Sequence, residues 1–136
     1  MTGMFAMAVH ALVYLNHKNS TLSSEELAEN ICTNPARVRK VMSQLKKAGL
    51  VVTKEGVDGG YRFELKPEDV TLYTVAEAVD ANFVSSAWQP GNSDMKCLVA
   101  SGMAGIMDSI YDELDALCKK RLTGITIKDI DKRIFG

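Results

Sequence analysis

Several things are scarce in this 136-residue chain, and each scarcity excludes something. No run approaches the roughly 18 consecutive apolar residues of a membrane span. The apolar start, Met4 to Leu15, lacks a basic flank and a small-residue cleavage site, so it does not read as a signal peptide. The three cysteines, Cys32, Cys97 and Cys118, are odd in number and widely spaced, which makes a poor disulfide framework and fits a reducing, cytoplasmic setting. The two histidines, His10 and His17, have no cysteine or carboxylate cluster beside them that would give a metal-ligand spacing or a Cys–His dyad. With no paired-carboxylate motif either, the expectation is a protein that is not an enzyme and carries no metal or cofactor. Gly59-Gly60 lacks the spacing and the following Lys-Ser/Thr of a phosphate-binding loop. Internal repeats and low-complexity stretches are also missing.

What is present is ordinary in bulk and uneven in detail. The composition, 46% hydrophobic and 24% charged, suits a globular domain able to bury a core without staples. The net charge of −1 hides an asymmetry: residues 18–66 carry nine Lys/Arg against six Asp/Glu, and residues 67–136 carry seven against eleven. The N-terminal half is therefore the candidate for meeting a polyanion. Within it, Arg37, Arg39, Lys40, Lys46 and Lys47 stand in a stretch free of acids between Asn30 and Lys54.

The periodicity predicts a buried helix over Met4–Asn16, apolar almost all round. Ser23 with Glu26 is a capping-box pattern opening a short helix with Leu27, Ala28 and Ile31 on one face. Asn34-Pro35 reads as N-cap and first helical position of the next helix, which keeps Val38, Val41, Met42 and Leu45 on one side and ends at Gly49. The period then changes. Val51–Thr53 and Tyr61–Leu65 suit strands around the Asp58-Gly59 turn, and Pro67 closes the hairpin. A helix follows over Thr71–Ala81, then a loop-like stretch over 84–96, then a long helix from Leu98 to Arg121. The predicted class is mainly α with a small β-hairpin wing: a winged helix-turn-helix followed by a long C-terminal helix.

Two helices joined by a tight turn and followed by a hairpin point to double-stranded DNA as partner. Once Val38, Val41, Met42 and Leu45 anchor the second helix, Arg37, Lys40, Ser43, Gln44 and Lys47 are left to face a major groove. Arg, Lys and Gln can pair with guanine or adenine edges. Ser24, Pro35 and Tyr61 complete the expected contact set, with Lys54 and Arg62 of the wing placed for phosphates or a minor groove. On the long helix, Val99, Met103, Ile106, Ile110, Leu114 and Leu117 form a stripe longer than one core contact needs. Pairing with a second copy would bury it, and a homodimer matches the two half-sites of a palindromic operator.

These stretches resemble the Rrf2 family of bacterial transcriptional regulators. Residues 6–15 resemble its first helix, while 23–28 and 41–51 resemble its helix-turn-helix. Gly56 to Tyr61 resembles its wing, Gly59-Gly60-Tyr61 being the most specific piece. Residues 71–79 and 126–130 resemble its later helix and closing segment. The resemblance implies a dimeric regulator, most simply a repressor, divided into a DNA-binding domain at 1–83, a sensor loop at 84–97, and a dimerisation helix with C-terminal segment at 98–136. Two departures stand out. Glu55 occupies a position where the family usually has Arg, and a carboxylate there would repel phosphates. The better-known members hold an iron–sulfur cluster through three closely spaced cysteines, and here only Cys97 lies in that region, so the cluster does not carry over.

A regulator without a cluster needs another signal. Cys97 follows Lys96 and opens the long helix, both features that favour a thiolate, so it is the candidate redox sensor. Cys32, in the turn before the reading helix, is the second candidate, and Cys118 reads as packing. The alternatives are a small-molecule-responsive regulator with an apolar pocket near Trp88 and the long helix, or a winged-helix adaptor for protein contacts.

Overall fold

In the computed structural model, which describes residues 3–136, the chain runs α1 (Gly3–Lys18), α2 (Ser24–Ile31), α3 (Pro35–Lys47), β1 (Val52–Lys54), β2 (Gly60–Arg62), α4 (Leu72–Ala78), α5 (Leu98–Leu122) and α6 (Ile127–Phe135). A 3-10 turn at Pro67–Asp69 precedes α4. Met1 and Thr2, with which the expected 1–83 unit begins, lie outside the described residues. The architecture is the expected one: mainly helical, with one two-stranded antiparallel hairpin.

Helix α1 is apolar all round because it is central. It packs against α2, α3, α4 and α6, with Ala8, Leu12 and Leu15 completely buried. Helix α2 starts in a closed capping box. The Ser23 hydroxyl accepts the Glu26 N–H at 3.1 Å, and the Glu26 carboxylate accepts the Ser23 N–H at 3.1 Å. Helix α3 starts on Asn34, whose side-chain oxygen accepts the Arg37 N–H at 2.9 Å, with Pro35 in the first helical turn. Between them Cys32 takes the left-handed conformation, φ 65°, which turns the chain from one helix to the other.

Three expectations change. The strands are shorter than the alternation suggested: Val51 is buried in the core ahead of β1, and β2 ends at Arg62. The helix expected to Ala81 stops at Ala78. Val79 caps it out of helical geometry, and Asp80 at φ 52° turns Ala81 into the core. Thr71 is its N-cap, accepting the Thr74 N–H at 3.2 Å. The long helix is not the last element. Its 25 residues, about 37 Å of helix, are followed by α6, which opens with a second capping box at Thr126 and Asp129. Helix α6 packs back on α1, and Ile127 is completely buried in the common core. A bridge between Thr71 and Thr126 ties the two ends of this last stretch together.

Candidate nucleic-acid interface

Helix α3, the expected reading helix, is fixed from behind. Val38, Val41, Met42 and Leu45 are all at most 1% exposed, so α3 cannot roll without opening the core. The other side presents Arg37, Arg39, Lys40, Ser43, Lys46 and Lys47 to solvent, and the helix contains no acid. Of the expected contact residues, Arg37, Lys40, Ser43 and Lys47 are exposed, whereas Pro35 is half-buried at the helix start.

Two expected contacts sit differently. Gln44 is half-buried, and its side-chain oxygen is buried without a hydrogen-bond partner, so the amide does not project freely like its neighbours. Its place on the helix lies only one residue from Leu45, at the edge of the packed stripe. Ser24 is 9% exposed, and its hydroxyl is engaged, donating to Glu25 at 3.2 Å and accepting from Arg39 at 3.3 Å. Arg39 also lies 3.9 Å from the Glu25 carboxylate. The basic residue that bridges the two helices is therefore Arg39, which the charge run contained but the expected contact set left out.

The wing is built by close backbone approach. Tyr61 pairs with Thr53 on one side and exchanges two backbone hydrogen bonds with Leu22 on the other, at 2.9 and 2.8 Å. A side chain on Gly60, at φ 152°, would strike the Leu22 carbonyl, and one on Gly59 would meet the Lys54 carbonyl at 2.5 Å. The Gly59-Gly60-Tyr61 sequence is thus a packing requirement: it clamps the hairpin to the segment leading into α2. Lys54 is exposed, while Arg62 is half-buried and 3.6 Å from Glu64. Val57 at the wing tip is fully exposed, a position that alternation of strand residues does not flag.

The 84–97 stretch is an ordered loop folded onto α5. Ser86 makes a tight turn with Trp88, the Gln89 amide donates to Asp108 at 2.7 Å, and the Asn92 N–H donates to the Ala100 carbonyl at 3.0 Å. Cys97 is the N-cap residue of α5. It forms no capping hydrogen bond, but the free N–H groups of Ala100 and Val99 hold its thiol below the ordinary value. Cys32 and Cys97 are exposed, Cys118 is half-buried, and all three are free thiols. Among the described residues no three His, Cys, Asp or Glu side chains are placed to hold a metal ion together.

Along α5 the predicted stripe is open in the single chain. Val99, Ile106, Ile110, Leu114 and Leu117 are exposed, with Met103 partly covered. Asp115 is the one buried residue of that helix. No helix among the described residues is long and apolar enough to cross a membrane. Two cavities bear on the small-molecule alternative. The space beside Trp88 and α5 holds about 210 Å³, whereas a larger one of about 580 Å³ lies between α1 and α6.

Comparison with known proteins agrees with this geometry. The profile of the Rrf2 family, described as iron-dependent transcriptional regulators, matches residues 1–133. YwnA of Bacillus subtilis (strain 168), assigned as an HTH-type transcriptional regulator, is 29% identical over 130 residues, 96% of each chain. The HTH-type transcriptional regulator IscR of Aliivibrio salmonicida is 24% identical, over 94% of this chain and 73% of its own. A crystal structure of a protein from Lactobacillus plantarum, assigned as a transcriptional regulator, superposes with a TM-score of 0.84 at 25% identity, covering 98% of this chain and 91% of that one. CymR, the global cysteine regulator of B. subtilis, shares the fold at TM-score 0.67 and 18% identity.

Proposed function

Because the chain belongs to the Rrf2 family of transcriptional regulators, we propose that it represses transcription as a homodimer. One α3 would occupy a major groove in each half of a palindromic operator. The observation that carries this reading is the division of α3 into a face of four buried apolar residues and a face of exposed cations with no acid. The fixed face gives the cations a defined direction, which a loosely held basic helix lacks. Arg37, Lys40 and Ser43 read base edges, with Gln44 at the margin. Lys46, Lys47 and Lys54 hold phosphates, Arg39 ties α3 to α2, and Tyr61 and Arg62 set the wing. The exposed stripe of α5 supports the dimer, since apolar stripes of this length are uncommon on the surface of a monomer.

No step of this reading runs through iron, and among the described residues of one chain no three His, Cys, Asp or Glu side chains are grouped to hold it. The signal enters through Cys97, whose lowered thiol pKa and exposure favour oxidation. Selection of bound sequences from random DNA, with and without mild oxidant, tests the reading. A palindromic consensus that weakens on oxidation is the expected result. Failure to enrich any sequence at low salt would favour a protein-binding adaptor instead.

A further inference from the structure

We propose that the cavity between α1 and α6 is an effector site for a flat, largely apolar small molecule with one hydrogen-bonding edge. This rests on the reading of the chain as a DNA-binding regulator and adds a second input beside the thiol. The cavity holds about 580 Å³, inside the range of roughly 300–1,000 Å³ typical of sites for drug-sized ligands. Its walls come from four elements of one chain, and no Asp, Glu, Lys or Arg lines it. Such a lining favours a neutral ring system, or one whose single carboxylate stays at the exposed His10 and His17 edge, over a sugar or a polyanion, whose polar groups would lose water without gaining partners.

The polar groups are few and grouped. His10 Nε2 lies 2.7 Å from the side-chain oxygen of Asn30, one hydrogen-bonded pair joining α1 to the end of α2. His17 is stacked on Phe135, ring centroids 4.0 Å apart and planes at 11°. Both rings of that stack are exposed and Phe135 ends α6, so this is the part of the wall that can yield. A flat ligand can take the place of Phe135 against the imidazole, with its apolar body on Val9 and Val13 and its polar edge at His10.

A second copy of the chain is the other occupant an apolar groove invites. The surface that self-association needs is the convex stripe of α5. This cavity is concave, and the chain's own Ile134 and Phe135 already form part of its wall. The coupling to DNA is short. Asn30 stands two residues before Cys32, the left-handed residue that turns the chain into α3. A ligand that competes for His10 releases Asn30 and loosens the α2–α3 turn.

The probes are 2-naphthoic acid and neutral quinoline, titrated into the full-length protein by calorimetry and tested for their effect on operator binding. At least one should bind with micromolar affinity and change operator affinity threefold or more. Ala6→Trp, which fills the cavity from the exposed side of α1, should weaken probe binding at least tenfold. Its operator binding without probe should stay within twofold of wild type. Val9→Phe provides the same block should Ala6→Trp fail to fold, and Trp88→Ala should leave probe binding unchanged. Unweakened binding in both filled variants, or no binding of either probe to wild type at millimolar concentration, overturns the site. So does conversion of Ala6→Trp to a monomer in light scattering, which would make the groove a contact between copies. Calorimetry needs no DNA: a protein that binds the probes and enriches no DNA sequence overturns the regulatory reading, and with it the effector role.

Discussion

Asp115, the one buried residue of the long helix, accepts the backbone N–H of Phe83 at 2.6 Å and that of Val84 at 3.1 Å. Those two residues lie between α4 and α5, at the boundary expected between the DNA-binding domain and the loop. The junction is closed by Lys119, one turn further along α5, 3.2 Å from the same carboxylate and 3.8 Å from Glu77 on α4. Phe83 in turn meets Phe5 of α1 edge-on, at 5.0 Å. The long helix is therefore attached to the DNA-binding domain not only by the packing of Leu122 on the core but also by charge and hydrogen bonds, in a place where an apolar contact would have been easier to anticipate.

This junction predicts a pH and mutation signature. Burial pushes the Asp115 carboxyl up, but the N–H groups of Phe83 and Val84 and the Lys119 ammonium outweigh it and hold the pKa below its ordinary value. A depressed carboxylate contributes stability that is fully present above its unfolded pKa and is lost as pH falls through the folded one. Acid unfolding of wild type should accordingly draw on this site below the ordinary carboxylate range. Asp115→Ala, which leaves two backbone donors without their acceptor and takes from Lys119 its nearest carboxylate, should cost about 2–3 kcal/mol at neutral pH. That corresponds to roughly 10 °C in melting temperature for a chain of this length. The deficit should narrow in acid. A variant that melts like wild type at pH 7 would show that the junction contributes nothing.

How much of this was legible in the sequence depended on whether the signal was local. The helix-turn-helix was readable because Ser23-Glu26 and Asn34-Pro35 carry their capping chemistry within three residues, and because Val38, Val41, Met42 and Leu45 repeat at the helical period. The wing glycines were readable as a pattern, but the reason for them, the approach of Leu22, is a contact across nearly 40 residues. Helix α6 escaped notice although Thr126 and Asp129 form a capping box as clear as that of α2. Its short apolar set, Ile127, Ile130 and Ile134, makes sense only once α1 is in place to receive it. Ser24 and Gln44 were placed on the surface by spacing alone, and spacing does not reveal that Arg39 reaches back to one while the edge of the core covers the other.

DNA binding should depend steeply on salt. Six to ten phosphate contacts per dimer give a log–log slope of roughly −5 to −9. Lys54→Ala should weaken all sequences alike and lower the slope, whereas Lys40→Ala should relax the base preference at one position of each half-site by about 1–3 kcal/mol. Gln44→Ala should have the smaller effect, because its amide is half covered. Gel-shift titrations on a consensus site and on single-base variants measure all three. Unchanged affinity and specificity in a combined Arg37/Lys40/Gln44 alanine variant would remove α3 from the groove.

The dimer should be sensitive at the centre of the α5 stripe. Ile110 is 42% exposed in the single chain, so Ile110→Asp need not disturb the fold of one subunit. In a dimer it would bury an unpaired carboxylate, at a cost of several kcal/mol. Light scattering should report a monomer with an intact helical spectrum, and operator affinity should fall because the two half-sites are no longer linked. Dimeric mass in this variant would move the interface elsewhere.

Oxidation gives the sharpest test of the signal. Cys97 sits where the ordered loop meets the long helix, with its thiol held low by the Ala100 and Val99 N–H groups. Cys32 sits in the turn that aims α3. Both are exposed. In a dimer joined through α5, the loop of one subunit can approach the winged domain of its partner. A Cys97–Cys32 bond across the interface would then lock the reading helices at a new separation. They need about 34–36 Å to meet successive major grooves, so a small displacement is enough to lose one half-site. The bond demands that the two Cα atoms come within about 7 Å during the motion. Mild oxidant should therefore give a covalent dimer on non-reducing gels and a loss of operator affinity. Both effects should vanish in Cys32→Ser and in Cys97→Ser and persist in Cys118→Ser, whose thiol is half-buried. A covalent dimer that survives Cys32→Ser would mean that Cys97 pairs with its own copy. Oxidised wild type that runs as a monomer and binds operator unchanged would leave the α1–α6 cavity as the route by which a signal reaches the DNA-binding domain.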